Sequence, residues 1–440
     1  MKTSSPGILR RTVLKKLFLC AAGLIAAAAA FALTGSKRGD FIAHEWGTFT
    51  SLQASNGVLL NWQTVVPEEL PAFVYNWTRP GLNRVGSPGL GKGTMALQRM
   101  ETPVIYFYGD KAQKVDVTVR FPKGKITEWY PQAQEIGPSR PKPEVGSPEE
   151  ASGIISSTNG LRESLIRWKL DILPHEQSSA AILPMEKLGR HYFAARETES
   201  AILGVNPTEP GQLSTEHEKF LFYRGIGNFG TPLKVTMSAS GEITLANNGL
   251  ETLKNIFVFG VENGSGNFVH VSEIGAGRQK IVHFDLSQGK KPLQKLVPQI
   301  SATLAAALTR QGLYRPESDA MVKTWKESWF QEEGLRVLYI LPRAWTDQTL
   351  PATFTPAPRD LVRVMVGRAE IITPALENQL ADKLARAKAG DAAALADAKI
   401  LLKKCGRFAP PVFSRVLAKL DPKMENKILV ALLIETAPAN

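Results

Sequence analysis

Two stretches of strict period-two alternation constrain the fold of this chain more than any other feature. In Lys114–Phe121, Val115, Val117, Val119 and Phe121 alternate with Asp116, Thr118 and Arg120. In Arg162–Leu173, Ile166, Trp168, Leu170 and Ile172 alternate with Arg167, Lys169 and Asp171. A strand sends successive side chains to opposite faces, so each stretch reads as a strand with one dry and one wet face. Such strands belong to antiparallel sheets, because parallel strands are covered on both faces and read as continuous apolar runs. Gly109-Asp110 and Lys123-Gly124 turn the chain before and after the first of them, and Lys125–Tyr130 returns, giving a meander. Pro103–Tyr108 is a short continuous apolar run, as in a strand covered on both faces. Arg190–Ala195 and Lys219–Arg224 read as further strands of the same system. Leu52–Gln98, rich in Pro and Gly, reads as long loops with short strands. Gln132–Gly160 carries Pro138, Pro141, Pro143 and Pro148 and reads as a long surface loop, since proline cannot donate to a ladder.

From Thr231 to Asp285 the rhythm changes to short strands at regular spacing. Leu233–Met237, Glu242–Ala246, Asn255–Val261, Phe268–Ile274 and Lys280–Phe284 are separated by Ser240-Gly241, Asn248-Gly249 and Asn263-Gly264 turns. That rhythm resembles an immunoglobulin-like or fibronectin-like sandwich, a likeness that carries no activity. Helical spacing follows, with Leu296, Val297, Ile300, Leu304 and Leu308 closed by Gly312. A second stripe of Val322, Trp325 and Trp329 begins at Pro316. Leu335–Leu341 and Leu361–Val366 return to strand. After Thr373-Pro374, stripes at Leu376/Leu380/Leu384, Leu395/Ala398/Leu402, Val412/Val416/Leu420 and Ile428/Leu432 predict four short helices. The expected fold is therefore a β-rich multidomain chain, mainly antiparallel, with one immunoglobulin-like sandwich and a helical C-terminal region. The expected units are a leader at 1–32 and a β-rich domain at 40–230, completed by strands in 335–372. The sandwich follows at 231–290, then a helical pair at 291–334 and the helical region at 373–440.

The leader is read from charge and apolarity together. Arg10, Arg11, Lys15 and Lys16 precede the apolar run Leu17–Leu33, which is too short and Ala-rich to span a bilayer. Ala30-Phe31-Ala32 places a signal-peptide cleavage before Leu33, so the mature chain is expected in the periplasm or outside the cell. Arg10–Lys15 resembles the twin-arginine export motif, with Val13 where Phe is usual; a general secretory leader fits equally. Removing Lys2 and the four leader cations takes the net charge from +12 to +7. The remaining Lys and Arg form no dense patch with interleaved aromatics, so nucleic acid is not an expected partner. No transmembrane anchor is expected after leader removal. Cys20 leaves with the leader, and Cys405 alone cannot form an intramolecular disulfide.

Candidate chemistry is sparse. Gly225–Gly230 spells GxGxxG, but Thr231-Pro232 leads into a strand where a nucleotide site needs a helix N-terminus. Gly86–Lys92 spells most of a P-loop, yet Gly93 stands where Ser or Thr must hold magnesium. No nucleotide cofactor is expected. His-Glu pairs at 44–45, 175–176 and 217–218 never extend to HExxH, and no GxSxG elbow occurs. His44, Glu45 and Trp46 stand in Phe41–Leu52 (FIAHEWGTFTSL), a strand-like run directly behind the leader. On an undistorted strand His44 shares a face with Ile42 and Trp46, while Glu45 shares one with Phe41 and Phe49. Gly47 is then a candidate bulge that would re-aim one of the pair. Glu101, Glu128 and Glu332-Glu333 lie beside aromatic or turn residues, where paired carboxylates would serve glycan hydrolysis. The binding candidates are thus His44, Glu45, Trp46, Glu101 and Glu333, with His44 the one metal-ligand candidate.

His44–Ser51 (HEWGTFTS) resembles a segment near the start of exported bacterial proteins that have no assigned activity. Met100–Pro103 and Leu335–Arg343 are similar to segments of the same group. The resemblance implies export and brings no substrate, cofactor or catalytic residue. Two functions follow as expectations. One is an exported binding or assembly protein with a protein or polymer ligand. The other is a periplasmic or secreted hydrolase acting on an envelope or extracellular polymer through His and Glu. His44, Glu45, Glu101 and Glu333 clustered around one pocket would favour the hydrolase; scattered positions would favour binding.

Overall fold

The computed structural model describes residues 39–64, 70–77, 94–137, 163–187, 189–206, 215–285 and 289–420. The leader, its cleavage site, Gly86–Lys92, most of the Pro-rich 132–160 stretch and the expected Ile428/Leu432 helix lie outside the described residues. The principal strands are β1 (Ile42–Gln53), β2 (Gln98–Tyr108), β3 (Gln113–Phe121), β4 (Gly124–Tyr130), β5 (Ser164–Leu173) and β6 (Phe220–Gly227). They continue as β7 (Leu233–Met237), β8 (Glu242–Asn247), β9 (Leu253–Glu262), β10 (Ser265–Ile274), β11 (Gln279–His283), β12 (Gly334–Ile340) and β13 (Asp360–Ile371). The principal helices are α1 (Leu293–Thr309), α2 (Arg315–Phe330), α3 (Pro374–Lys388), α4 (Ala392–Lys404) and α5 (Ala409–Leu420).

Strand β1 sits inside an eleven-stranded sheet whose main order is β10-β9-β12-β13-β1-β2-β6-β4. It runs parallel to β13 over all twelve residues, from Ile42 opposite Asp360 to Gln53 opposite Ile371. On its other side it runs antiparallel to β2. This parallel pair is the exception in an otherwise mainly antiparallel architecture. With neighbours on both edges and layers on both faces, every residue of β1 after Ile42 is buried.

The two faces of the large sheet meet different layers. On one, Phe41, Phe49, Met100, Ile105, Phe107 and Tyr223 pack on the dry sides of β3 and β5. Those dry sides are the alternating sets Val115/Val117/Val119/Phe121 and Ile166/Trp168/Leu170/Ile172, which belong to a second, six-stranded sheet. On the other face, Trp46, Val104, Tyr106, Phe222, Phe259 and Val366 pack against α1 and α2 through Ile300, Leu304, Leu308 and Trp329. Helical periodicity in 296–308 and period-two alternation in 115–121 thus bury complementary surfaces on opposite sides of one sheet.

Residues 231–290 form two facing layers but no separate module. Strands β7, β8 and β11 make a three-stranded sheet, whereas β9 and β10 extend the eleven-stranded sheet. Leu233, Val235, Ile243 and Leu245 cover Leu253, Ile256 and Val258. The opposite face of β9 carries Phe257 and Phe259, which pack with α1 and α2. A strand apolar on both faces needs cover on both, so β9 becomes interior to the larger sheet. A second difference is local. Arg190–Ala194 is a short helix, not a strand. Tyr192 and Ala195, three residues apart, both reach the helix-side core beside Phe220 and Phe222, a spacing that a helix satisfies and a strand does not.

The C-terminal helices form a third layer at the end of the large sheet. Thr373 Oγ1 accepts from Leu376 N at 3.2 Å and caps α3; Asp391 Oδ1 accepts from Ala394 N at 2.9 Å and caps α4. Leu380, Leu384, Leu402, Val412 and Val416 then close over Leu52, Trp62 and Ile372. Among the described residues, no helix is long and apolar enough to cross a membrane.

Candidate functional site

A β-bulge lies opposite Gly47. Trp46 pairs with Val104 and Thr48 with Glu101, so β2 carries the extra residue at Thr102-Pro103, where Thr102 has φ +47°. Proline brings no ladder donor, which suits this position. Gly47 is required here because a Cβ would lie 2.9 Å from both Pro103 Cα and Met365 Sδ. The bulge re-phases β2. Val104 and Tyr106 face the helices, and so do Arg99 and Glu101, which an unbroken strand would turn to the other face.

The first candidates separate as strand geometry requires. His44 faces the helices and Glu45 the second sheet. His44 Nδ1 lies 2.8 Å from Glu317 Oε2, and its ring centroid is 4.4 Å from that of Tyr314. Glu317 also accepts from Tyr108 Oη at 2.7 Å and from Tyr314 N at 2.6 Å, at the positive end of α2. Burial, with the Glu317 carboxylate second, pushes the Tyr108 hydroxyl pKa well up. Glu45 is held by Arg363 and by the Tyr223 hydroxyl, all three buried. Trp46 is part of the helix-side core, near Tyr106.

His44→Ala is therefore expected to remove a link between β1 and α2. The loss should be about 1–3 kcal/mol, from one severed buried contact to a carboxylate and from lost packing. Thermal denaturation with and without divalent metal checks this, with the variant melting lower in both. A metal-induced rise in the wild type that vanishes in the variant would instead make His44 a ligand. Among the described residues, no group of three or more His, Cys, Asp or Glu is placed to hold a metal ion.

Glu101 and Glu333 lie elsewhere. Glu101 Oε1 accepts from Arg407 Nη1 at 2.8 Å, across from Thr48. Thr48 is four residues beyond His44, about 13 Å along the strand at roughly 3.3 Å per residue. Glu333 Oε1 accepts from Asn263 N at 2.8 Å at the sheet's end. It lines a cleft of about 250 Å³ with Leu52, Leu335, Ile372 and Phe408. Cys405 also lines that cleft, and burial pushes its thiol pKa up to about 11, so little nucleophilic thiolate forms near neutral pH. The five candidates therefore do not gather in one pocket: His44, Trp46 and Glu101 lie along the helix-side face, Glu45 faces the second sheet and Glu333 lies at the sheet's end. Of the GxGxxG glycines, Gly225 and Gly227 end β6 and Gly230 lies in the connection to the next element, strand β7. Asn228 Oδ1 accepts from Leu97 N at 3.0 Å there.

Among the described residues, a cluster of buried charge lies on the helix-side face of the large sheet, around Thr48 and Thr50. On the helix-side face, Arg368 and Arg99 flank Thr50 in register, while Glu101 stands beside Thr48. Arg368 Nε donates to Glu370 Oε1 at 2.6 Å, and its Nη2 donates to Glu332 Oε2 at 2.7 Å. Arg336 Nε lies 2.9 Å from the same Glu370 oxygen. Arg407 reaches in from the turn at Gly406–Phe408, its guanidinium 5.1 Å from the Trp62 ring centroid. Sequence reading missed Thr48, Thr50, Arg99, Arg368 and Arg407. Their available signal was the Thr48/Thr50 alternation, which places polar residues on a face otherwise built from Trp46 and Leu52.

Lys125, on β4, is a buried cation of a different kind. Its Nζ lies 4.2 Å from the Trp77 ring centroid, and desolvation pulls its pKa down from 10.5 to about 8. Between those values the unfolded chain holds the proton more tightly, so stability should rise as pH climbs from about 8 toward 10.5. Lys125→Met is expected to flatten that rise. Urea midpoints at matched ionic strength, from pH 7 to 10, measure it. An unchanged slope in the variant would remove Lys125 as the cause.

No family model matches the chain, and no curated protein matches it. Among solved structures it is similar to the Fcho1 Mu homology domain of Danio rerio with bound Eps15 peptide. The TM-score is 0.28 at 7% identity, covering 77% of this chain and 98% of that one. It is also similar to the yeast delta-COP-I mu-homology domain complexed with a Dsl1 WxWxV peptide. There the TM-score is 0.27 at 7% identity, covering 76% and 99%. Likenesses of that size carry no argument about this chain.

Proposed function

We propose that the chain is an exported bacterial binding or assembly protein whose ligand seats in the buried arginine-threonine layer. The observation that carries this reading is that Glu45, Glu101 and Glu333 lie apart, while the acids that do share a layer, Glu101, Glu332 and Glu370, are each held by arginine. A glycosidase-type hydrolase needs two carboxylates about 5–9.5 Å apart across one substrate bond. Here Glu45 and Glu101 face opposite sides of the sheet, and Glu333 lies at its end. Each is engaged in its own contact: Glu45 with Arg363, Glu101 with Arg407, and Glu333 with Asn263 N.

Native mass spectrometry of protein purified from the cell envelope tests the reading. A co-purifying mass that leaves on denaturation is expected. Turnover of an envelope glycan, abolished by Glu101→Gln with the fold retained, would overturn it in favour of the hydrolase. Export is tested separately by N-terminal sequencing of the periplasmic protein, which should begin at Leu33. Replacing Arg10-Arg11 by Lys-Lys should block export by the twin-arginine route and spare the general secretory one.

A further inference from the structure

We infer that the layer around Thr48 and Thr50 binds a small oxyanion, a phosphoryl, sulfuryl or carboxylate group; this rests on the binding reading above. Thr48 Oγ1, Thr50 Oγ1, Arg368 Nη1, and Arg407 Nε and Nη2 are all buried, and none has a hydrogen-bond partner among the described residues. A buried polar atom left unpartnered costs on the order of 1–3 kcal/mol. Five such atoms from three elements therefore call for a common partner. They converge because Thr50 pairs in register with both Arg368 and Arg99, and Thr48 is two residues away on the same face. Directly opposed side chains have Cβ atoms about 4.5–5.5 Å apart, within reach of one small molecule.

Charge then selects the ligand. Among the described residues, Arg99, Arg336, Arg368 and Arg407 stand around these hydroxyls beside Glu101, Glu332 and Glu370, and Arg368 and Arg407 keep guanidinium N–H groups that their carboxylate contacts leave unused. Glu332 is also the most exposed of the three acids, with about half its side chain open to solvent, so it screens the interior least. Guanidinium N–H groups only donate, and a threonine hydroxyl can donate. An oxyanion has several acceptor oxygens and takes charge-assisted hydrogen bonds from guanidinium N–H groups, about twice as strong as those a neutral ligand accepts. Arg407 marks the entrance. Its side chain is 17% exposed while that of Arg368 is fully buried, and it belongs to the helical layer that closes over Trp62.

Isothermal titration of the mature chain with inorganic phosphate and, separately, with glycerol 3-phosphate and citrate tests the inference. Saturable one-to-one binding of at least one is expected. Affinity should fall at least about tenfold in Thr48→Val/Thr50→Val, since hydrogen bonds to a charged group are worth about 1.5–3 kcal/mol each. Valine keeps the threonine shape, so this variant should melt no lower than the wild type without anion. That control separates lost binding from lost folding, and it cancels the general stabilisation that sulfate and phosphate give any protein. Arg407→Gln, at the entrance, gives a second variant should the double one fail to fold. Binding of phosphate itself points to a free anion; binding of glycerol 3-phosphate or citrate alone points to the same group carried on a larger molecule. No saturable binding of any of the three, or equal affinity in the variants, overturns the inference. A neutral co-purifying ligand in the native mass spectrum would overturn it while leaving the binding reading intact.

Discussion

Arg363→Met is expected to lower the stability of this protein by about 3–5 kcal/mol, the range for removing one partner of a buried ion pair. Arg363 stands directly across from Glu45 in the parallel β1–β13 pair, and each side chain is 1% exposed. Nε donates to Glu45, and Nη1 donates to Asp347 Oδ1 at 2.8 Å. Methionine fills a similar volume, so the loss reports charge more than cavity. It would leave the Glu45 carboxylate in the core with Tyr223 as its remaining hydrogen-bond donor. Denaturant unfolding measures the effect as a shifted midpoint with an unchanged slope. The double variant Glu45→Met/Arg363→Met should recover much of the loss, because an apolar pair leaves no buried charge and only the Tyr223 hydroxyl lacks a partner. A single variant within about 1 kcal/mol of the wild type would mean that the pair behaves as a solvated one.

Arg336→Met should be nearly as costly. Helix α2 has no basic residue in its last turn, so its negative C-terminal end is unserved from within the helix. Arg336, on strand β12, serves it from outside. Nη1 donates to Ser328 O at 3.2 Å and Trp329 O at 2.9 Å; Nη2 donates to Glu332 O at 2.8 Å and Glu333 O at 2.9 Å. Removing the fork strands four carbonyls and takes away a cation beside Glu370, a loss of about 3–5 kcal/mol. Arg336→Lys should restore less than half of it, since an ammonium cannot present a planar fork. Urea unfolding of both variants checks this. Equal stability for Lys and Arg would mean that charge alone, and not the fork, holds the helix end.

Local pattern in the sequence determined the strands and helices. Alternation in 115–121 and 166–172 specifies which face of each strand is dry, because a one-residue slip would expose every buried side chain. Start signals at Thr373-Pro374 and Gly390-Asp391 fix the beginnings of α3 and α4, because capping acts within one turn. The parity of β1 likewise fixed that His44 and Glu45 would face apart. What the chain could not show is what each face meets. Asn255–Val261 reads as a strand of a small sandwich, yet apolar side chains on both of its faces, Phe257 and Phe259 on one and Ile256 and Val258 on the other, place β9 in an eleven-stranded sheet. Arg363 lies 318 residues from Glu45 and Arg407 lies 306 from Glu101, so no local spacing relates them. Thr102 shows the division at a single residue. The sequence offers Gly47 as the candidate bulge, but only pairing with β1 decides that the extra residue lies on β2, at Thr102-Pro103 opposite Gly47. That bulge turns Arg99 and Glu101 toward Thr48 and Thr50, because the face of a strand residue is settled by register with its neighbour.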